Sequence, residues 1–260
     1  MRLTFLGTGT SFGVPQIGCD CAVCRSEDPR DKRTRVGAIV EAEGERLLID
    51  TPPELRLQLL AARVDQVNAV LFTHDHADHT HGIDDIRAIS VRHDGALPMY
   101  GTAETLDALA HRFPYIFDPA MVALPGTTKP EGVGVPIVPG APVRIGRFEV
   151  TAVALPHGRT EVVGYRIGPL ANVTDAKSVP DEAIAQLKGA RVLVLNALFK
   201  RPHPTHLSVS EAVETARRIG APRTYLTHLT HENSHVDLAA LLPEGITPAY
   251  DGLSVEIAAA

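Results

Sequence analysis

Cysteine is scarce in this chain. Of 260 residues only three are Cys, and all three fall in one heptapeptide, GCDCAVC, at 18–24. An odd number cannot close completely into internal disulfides, and spacing this tight suits a metal ion better than a covalent staple. A tetrahedral structural zinc takes four ligands, typically Cys with or without His. Cys19, Cys21 and Cys24 therefore require a fourth partner from elsewhere in the chain. A long apolar run is also missing, so no membrane span is expected. The N-terminus, MRLTFLGTGTSFG, reads as a short strand entering a Gly/Thr turn and lacks the apolar stretch and cleavage site of a signal peptide. The expected location is the cytoplasm, where thiols stay reduced and a Cys cluster more often holds metal. Nor is there an excess of basic residues. A formal net charge of −6 argues against wrapping a long polyanion. A small phosphorylated substrate needs only a locally positive site, for which RDKRTR (30–35) is a candidate; a solvated loop is the simpler reading of that stretch.

What the chain has in quantity is histidine, twelve in all, on a background of 44% hydrophobic and 22% charged residues that is ordinary for a globular protein. Strand-like runs bounded by turn formers occur at 3–6, 36–42, 47–50, 69–73, 148–155, 162–167, 192–196, 224–227 and 253–257. Helix signals lie between them. Thr51 and Glu54 stand at capping-box spacing, a helix starts at Ser178 and stops at Gly189, and Ser208 with Glu211 opens another that ends at Gly220. Strands in two batches, each followed by helices, predict an α/β fold with two sheets packed face to face and helices outside, in one domain over 1–260. The Gly/Pro-dense stretch 124–142 reads as a long loop, and no internal repeat is visible.

THDHADHTHG (73–82) follows the apolar strand directly and gathers His74, His76, Asp78 and His79 in a strand-to-helix turn. Imidazoles and carboxylates suit zinc, manganese or iron. His-x-His-x-Asp-His after a buried strand resembles the signature of the metallo-β-lactamase fold hydrolases, and the further positions of that family occur in order. ALPHG supplies His157, ANVTDAKS supplies Asp175, and YLTHLTH supplies His228. The resemblance implies an αββα sandwich with two divalent catalytic metal ions, Mn or Zn. One would be held by His74, His76 and His157, the other by Asp78, His79 and His228, with Asp175 bridging. Asp50, in LLIDTPPE, would support the cluster from behind. Such a pair of cations lowers the pKa of bound water to about 7 and clamps the attacking and leaving oxygens of an in-line displacement.

The Cys cluster narrows the resemblance. Cys19-x-Cys21-x-x-Cys24, with a His three residues after the last active-site His, is similar to the PhnP-type phosphodiesterases of the carbon–phosphorus lyase pathway. That His is His231, which implies one structural zinc held by Cys19, Cys21, Cys24 and His231; His235 is the alternative fourth ligand. A His before the late helix acts on the leaving group in that family and in the ribonuclease Z group, which puts His206 forward as general acid with His203 as competitor. His206 and Asp78 are thus the candidate catalytic residues. Arg87 resembles a family Arg that touches phosphate. His81 departs from the family's usual residue. Phe113, Tyr115 and Phe117 are expected in the core, and His93 and His111 on the surface. The implied activity is dinuclear metal-dependent hydrolysis of small, cyclic phosphodiesters such as ribose 1,2-cyclic phosphate or 2′,3′-cyclic nucleotides. The expected partners are that substrate and at most a second copy in a homodimer. Alternatives are a ribonuclease Z-like endonuclease, a non-hydrolytic protein resembling pyrroloquinoline quinone biosynthesis B, and, on the His motif alone, a thioesterase or lactonase.

Overall fold

Side chains that alternate along each strand send one set of residues between two sheets and the other set outward under helices. The computed structural model describes residues 1–93 and 95–258. In chain order the strands are β1 (Arg2–Gly7), β2 (Gly37–Ala42), β3 (Glu45–Ile49), β4 (Ala69–Leu71), β5 (Leu97–Gly101), β6 (Gly132–Pro136) and β7 (Pro142–Ile145). They continue as β8 (Phe148–His157), β9 (Thr160–Ile167), β10 (Leu170–Val173), β11 (Val192–Asn196), β12 (Arg223–Thr227), β13 (Ile246–Pro248) and β14 (Ser254–Glu256). The helices are α1 (Ala22–Arg25), α2 (Leu55–Ala62), α3 (Ala77–Thr80), α4 (Arg87–Ser90), α5 (Ala103–Arg112), α6 (Pro114–Phe117), α7 (Asp181–Leu187), α8 (Val209–Ile219) and α9 (His235–Leu241).

One seven-stranded sheet runs β14-β1-β2-β3-β4-β5-β6 and the other β13-β12-β11-β10-β9-β8-β7. On β3, Leu47 and Ile49 face the inter-sheet core with Val150 and Tyr165, while Leu48 turns outward to Leu55 and Leu59 of α2. The second sheet does the same. Val194 faces inward, and Leu193 and Leu195 pack outward with Leu187, Ala212 and Ala216 of α7 and α8. This is the αββα sandwich expected.

The two sheets share a wiring plan. In the first, β14 to β3 pair antiparallel and β3 to β6 parallel. In the second, β7 to β10 pair antiparallel and β10 to β13 parallel. The repeat is topological and leaves no trace in the sequence.

Five strands (β5, β6, β7, β10 and β13) fall outside the runs read from the sequence. The stretch 124–142 is not simply a loop. It contains β6, a parallel edge strand on β5, and reaches the first residue of β7. An edge position is where a strand tolerates Pro136 and two glycines. The Thr51/Glu54 capping box does not form either. Thr51 donates to the Thr80 carbonyl, Glu54 pairs with Arg35, and α2 starts at Leu55 without a side-chain cap. Helix α7 begins at Asp181, three residues after Ser178, because Pro180 sets its entry. Helix α8 has the expected Ser208–Glu211 capping box and left-handed Gly220.

Candidate metal centre

Strands β3, β4, β8, β10 and β12 deliver the site at their C-terminal ends, where open α/β sheets bind ligands. Asp50 follows β3, His74 follows β4, His157 ends β8, Asp175 follows β10 and His228 follows β12. Asp50, Asp175 and His228 have φ of 61°, 58° and 57°, three of the five left-handed non-glycine residues described. Such backbone is held only where the surroundings fix it. Asn196 does so for Asp175, its amide accepting from Ala176 N–H at 2.9 Å and donating to the Ala176 carbonyl at 3.1 Å. Gly82 closes the His motif because a Cβ there would meet the Pro52 carbonyl at 2.0 Å.

Three of the imidazoles are held by their outer nitrogen. His79 Nδ1–H donates to Asp50 Oδ2 at 2.7 Å. His74 Nδ1–H donates to Thr73 Oγ1 at 2.9 Å, and that hydroxyl donates in turn to Asp50 Oδ2 at 2.8 Å. His157 Nδ1–H donates to the Asp175 carbonyl at 2.5 Å. These bonds place the bare Nε2 lone pairs inward, the arrangement that orients histidine ligands. Nε2 of His74, His79 and His228 is buried without a hydrogen-bond partner. Buried nitrogens left unpaired cost free energy unless something else occupies them, and a cation fits that need.

The ligand atoms form two groups, each within 4.8 Å: His74, His76 and His157, and Asp78, His79, Asp175 and His228. The Asp175 carboxylate divides between them. Oδ1 lies 3.4 Å from both His79 Nε2 and His228 Nε2, whereas Oδ2 lies 3.9 Å from His74 Nε2. Asp78 Oδ2 is 3.5 Å from His79 Nε2 and 3.8 Å from His228 Nε2. Burial opposes charge on Asp78 and Asp175, but positive charge at His79 and His228 outweighs it and holds both carboxyls below the usual range, the work a cation between the bare nitrogens would do in place of their protons. Burial alone dominates at Asp50, whose carboxyl rises.

His206 joins the same cluster. Its Nε2–H donates to Asp175 Oδ2 at 3.1 Å, and Nδ1 accepts from the Thr205 hydroxyl at 2.7 Å. Burial pushes its pKa down to about 4, more than the Asp175 carboxylate raises it. His206 also lies within ligand reach of His157 and Asp175. His203 packs on it at 5.4 Å between ring centroids and touches the same Thr205 hydroxyl, without reaching the cluster.

The cysteines converge on His231. Cys19 Sγ and Cys21 Sγ lie 3.1 and 3.5 Å from its Nδ1, and Cys24 completes a group within 4.8 Å. The Cys24 N–H bond to Cys21 lowers that thiol to about 6, while burial pushes Cys24 up to about 11. His235 is elsewhere, packed on Tyr250 at the start of α9.

Arg87 is otherwise engaged. Its guanidinium pairs with Asp84 at 2.8 Å and donates to the Thr128 carbonyl, tying α4 to the loop before β6. RDKRTR is not a solvated patch. Arg33 is fully buried, paired with Asp31 at 3.1 Å and donating to the carbonyls of Thr230 and Asn233, which flank His231. Arg30 and Arg35 pair with Asp28 and Glu54. Phe113, Tyr115 and Phe117 pack on the outer core as expected, and His81 stacks edge-on against Phe113. Thr73, Thr205, Asn196 and Arg33 have no sequence signal, since each acts through a partner distant along the chain or through a turn only the fold creates.

Residues 45–229 match the Beta-lactamase superfamily domain. A solved structure of a diphosphatase from the PhnP family superposes with a TM-score of 0.91 at 37% identity, covering 99% of this chain and 98% of that one. The chain belongs to the PhnP family of this superfamily. An octanoyltransferase of Porphyromonas gingivalis is 39% identical over 260 residues, 99% of this chain but 52% of that protein, so the chain spans about half the length of that relative. Zinc-bound PqqB from Methylobacterium extorquens shares the fold at a TM-score of 0.79 and 20% identity, covering 99% of this chain and all of that one. Among the described residues no helix is long and apolar enough to cross a membrane.

Proposed function

We propose that the chain is a metal-dependent hydrolase acting on small phosphodiesters, cyclic ribose phosphates among them. The observation that carries this reading is the Asp175 carboxylate, set between His74 on one side and His79 and His228 on the other, whose buried Nε2 atoms have no hydrogen-bond partner. His74, His76 and His157 would hold one divalent cation; Asp78, His79 and His228 would hold a second, with Asp175 between them. Cys19, Cys21, Cys24 and His231 would hold a structural zinc. Cations so bound would polarise a phosphoryl oxygen and make water acidic enough to ionise near neutral pH. The chain's own work is positional. Asp50 and Thr73 keep protons on the outer nitrogens of His79 and His74, so the inner ones stay free as ligands. Thr205 and Asp175 hold the His206 ring beside the cluster, where the doubly protonated imidazolium would pass its Nε2 proton to a leaving alkoxide and return to neutral imidazole.

A diphosphate is the second reading, favoured by the 37% identity to the PhnP-family diphosphatase. Both substrates present an anionic phosphorus centre with an oxygen leaving group. Metal-loaded protein tested against cyclic phosphodiesters, diphosphates, a tRNA precursor and a thioester separates the readings. Turnover of the first class is expected; cleavage of the tRNA precursor or the thioester alone would overturn the proposal.

A further inference from the structure

The C-terminal ends of β4, β5 and β6 line a cavity of about 700 Å³ beside the His motif. Thr73, His74 and Asp75 line it, His74 being shared with the ligand cluster, and Glu161, four residues after His157, lines it too. The volume suits a small organic group. Ile137, Ala154 and Val162 give it an apolar floor. Its charge is one-sided. Among the described residues no lysine or arginine lines it, Asp75 is neutralised by Arg112, and Glu104 and Glu161 have no ion-pair partner. Glu104 also sits in the first turn of α5 and offsets the positive helix end that would attract an anion. A second cavity, of about 680 Å³ under α2, contains no ligand-cluster residue.

We propose that the cavity beside His74 is the subsite for the organic group of the substrate, and that it takes an uncharged or cationic group in preference to a second anion. The proposal rests on the phosphodiesterase reading above. His74 is at once a proposed metal ligand and, alone among the described cluster residues, part of the cavity wall, so a group seated here lies against the ring that would hold the cation. Two unpaired carboxylates at the rim repel a further phosphate or carboxylate and attract an ammonium group. The segment 137–139 that walls the cavity belongs to the Gly/Pro-rich stretch, which gives that stretch a role in specificity.

The test uses three p-nitrophenyl phosphodiesters that differ only in the second group: choline, phenyl and carboxyphenyl. KM is expected to be lowest for choline and highest for carboxyphenyl. Glu104→Gln with Glu161→Gln should narrow that gap about fivefold, the scale of two exposed charges. Val138 is 71% exposed on the wall, so Val138→Trp can block the cavity without disturbing the core; KM for the phenyl ester should rise with kcat and metal content unchanged. A preference for the carboxyphenyl ester, or an unchanged KM in Val138→Trp, overturns the proposal. If neither these esters nor a cyclic ribose phosphate is cleaved, calorimetric titration of metal-loaded protein with phenylphosphonate decides. Weaker binding in Val138→Trp keeps the subsite and sinks the phosphodiesterase reading, whereas equal binding sinks the subsite.

Discussion

Asp50 and Asp175 occupy equivalent places in the two halves of the molecule. Each follows the strand where antiparallel pairing gives way to parallel, β3 in one sheet and β10 in the other, with φ near 60°. Each is buried and accepts a threonine hydroxyl, from Thr73 and Thr174. Each also receives an imidazole N–H, from His79 and His206. Their environments then diverge. Asp50 is saturated by protein donors, two of them from Thr73. Asp175 faces imidazole nitrogens that have no other partner. The same backbone position thus leaves one carboxylate saturated and the other open to the proposed cations, and the difference lies in the partners: Thr73 and His79 of its own half for Asp50, imidazoles of both halves for Asp175.

The sharpest way to break this contrast is Asp175→Ala. Its removal separates the two ligand groups, so hydrolysis should fall to background with loss of bound catalytic metal. Wild-type turnover at full metal content in that variant would show that the carboxylate does not bridge. His206→Ala comes next. It should lower kcat by about 10²–10⁴-fold, roughly 3–5 kcal/mol, with catalytic metals retained. The loss should be smaller for a p-nitrophenolate leaving group, which departs without a proton. Equal losses on both substrates, or metal lost with activity, would place His206 among the ligands beside His157 and Asp175 and bring His203 forward as the acid.

Asp50→Asn tests the supporting role. An amide oxygen can still accept from His79 but no longer carries charge, and changes behind a ligand typically cost about 10–100-fold in metal affinity or activity. A loss as deep as that of Asp175→Ala would erase the distinction between the two halves. Cys21→Ser touches neither carboxylate. It should remove the Cys-bound zinc and lower Tm while leaving the catalytic metals in place; metal analysis after mild chelation, finding no zinc in the reduced wild-type protein, would remove that site from the account.

The smallest effect is expected at Glu211, outside both clusters. Burial opposes its charge, but bonds from Lys177 and Ser208 outweigh this and hold the carboxyl at about 2, against 4.5 as its ordinary value. Its contribution to stability is therefore complete above about 4.5 and is lost as pH falls through 2. Glu211→Gln should lower Tm slightly at pH 7, and the gap to wild type should close in acid. A gap that persists at pH 2 would assign the effect to helix capping alone.

Local chemistry was legible in the sequence, and partnership across the fold was not. The residue types after β4 marked His74, His76, Asp78 and His79 as candidate ligands, while His157, Asp175 and His228 came from the family resemblance; the Ser208–Glu211 pair marked the start of α8, because capping is written within a few positions. The Thr51–Glu54 pair has the same spacing and does not cap; Arg35, nineteen residues away, takes Glu54 instead. RDKRTR looked exposed because charge is costly to bury alone. Arg33 is buried because Asp31 and the carbonyls of Thr230 and Asn233 surround it. β6 was hidden in a Gly/Pro stretch whose extended form depends on β5. The sequence by itself determined which residues are available as metal ligands, because imidazole, thiolate and carboxylate chemistry belongs to the side chain. Only the tertiary structure decided that Asp50 would support the site while Asp175 faces both ligand groups, because the distinction depends on donors that two separate sheets bring to the same few ångströms.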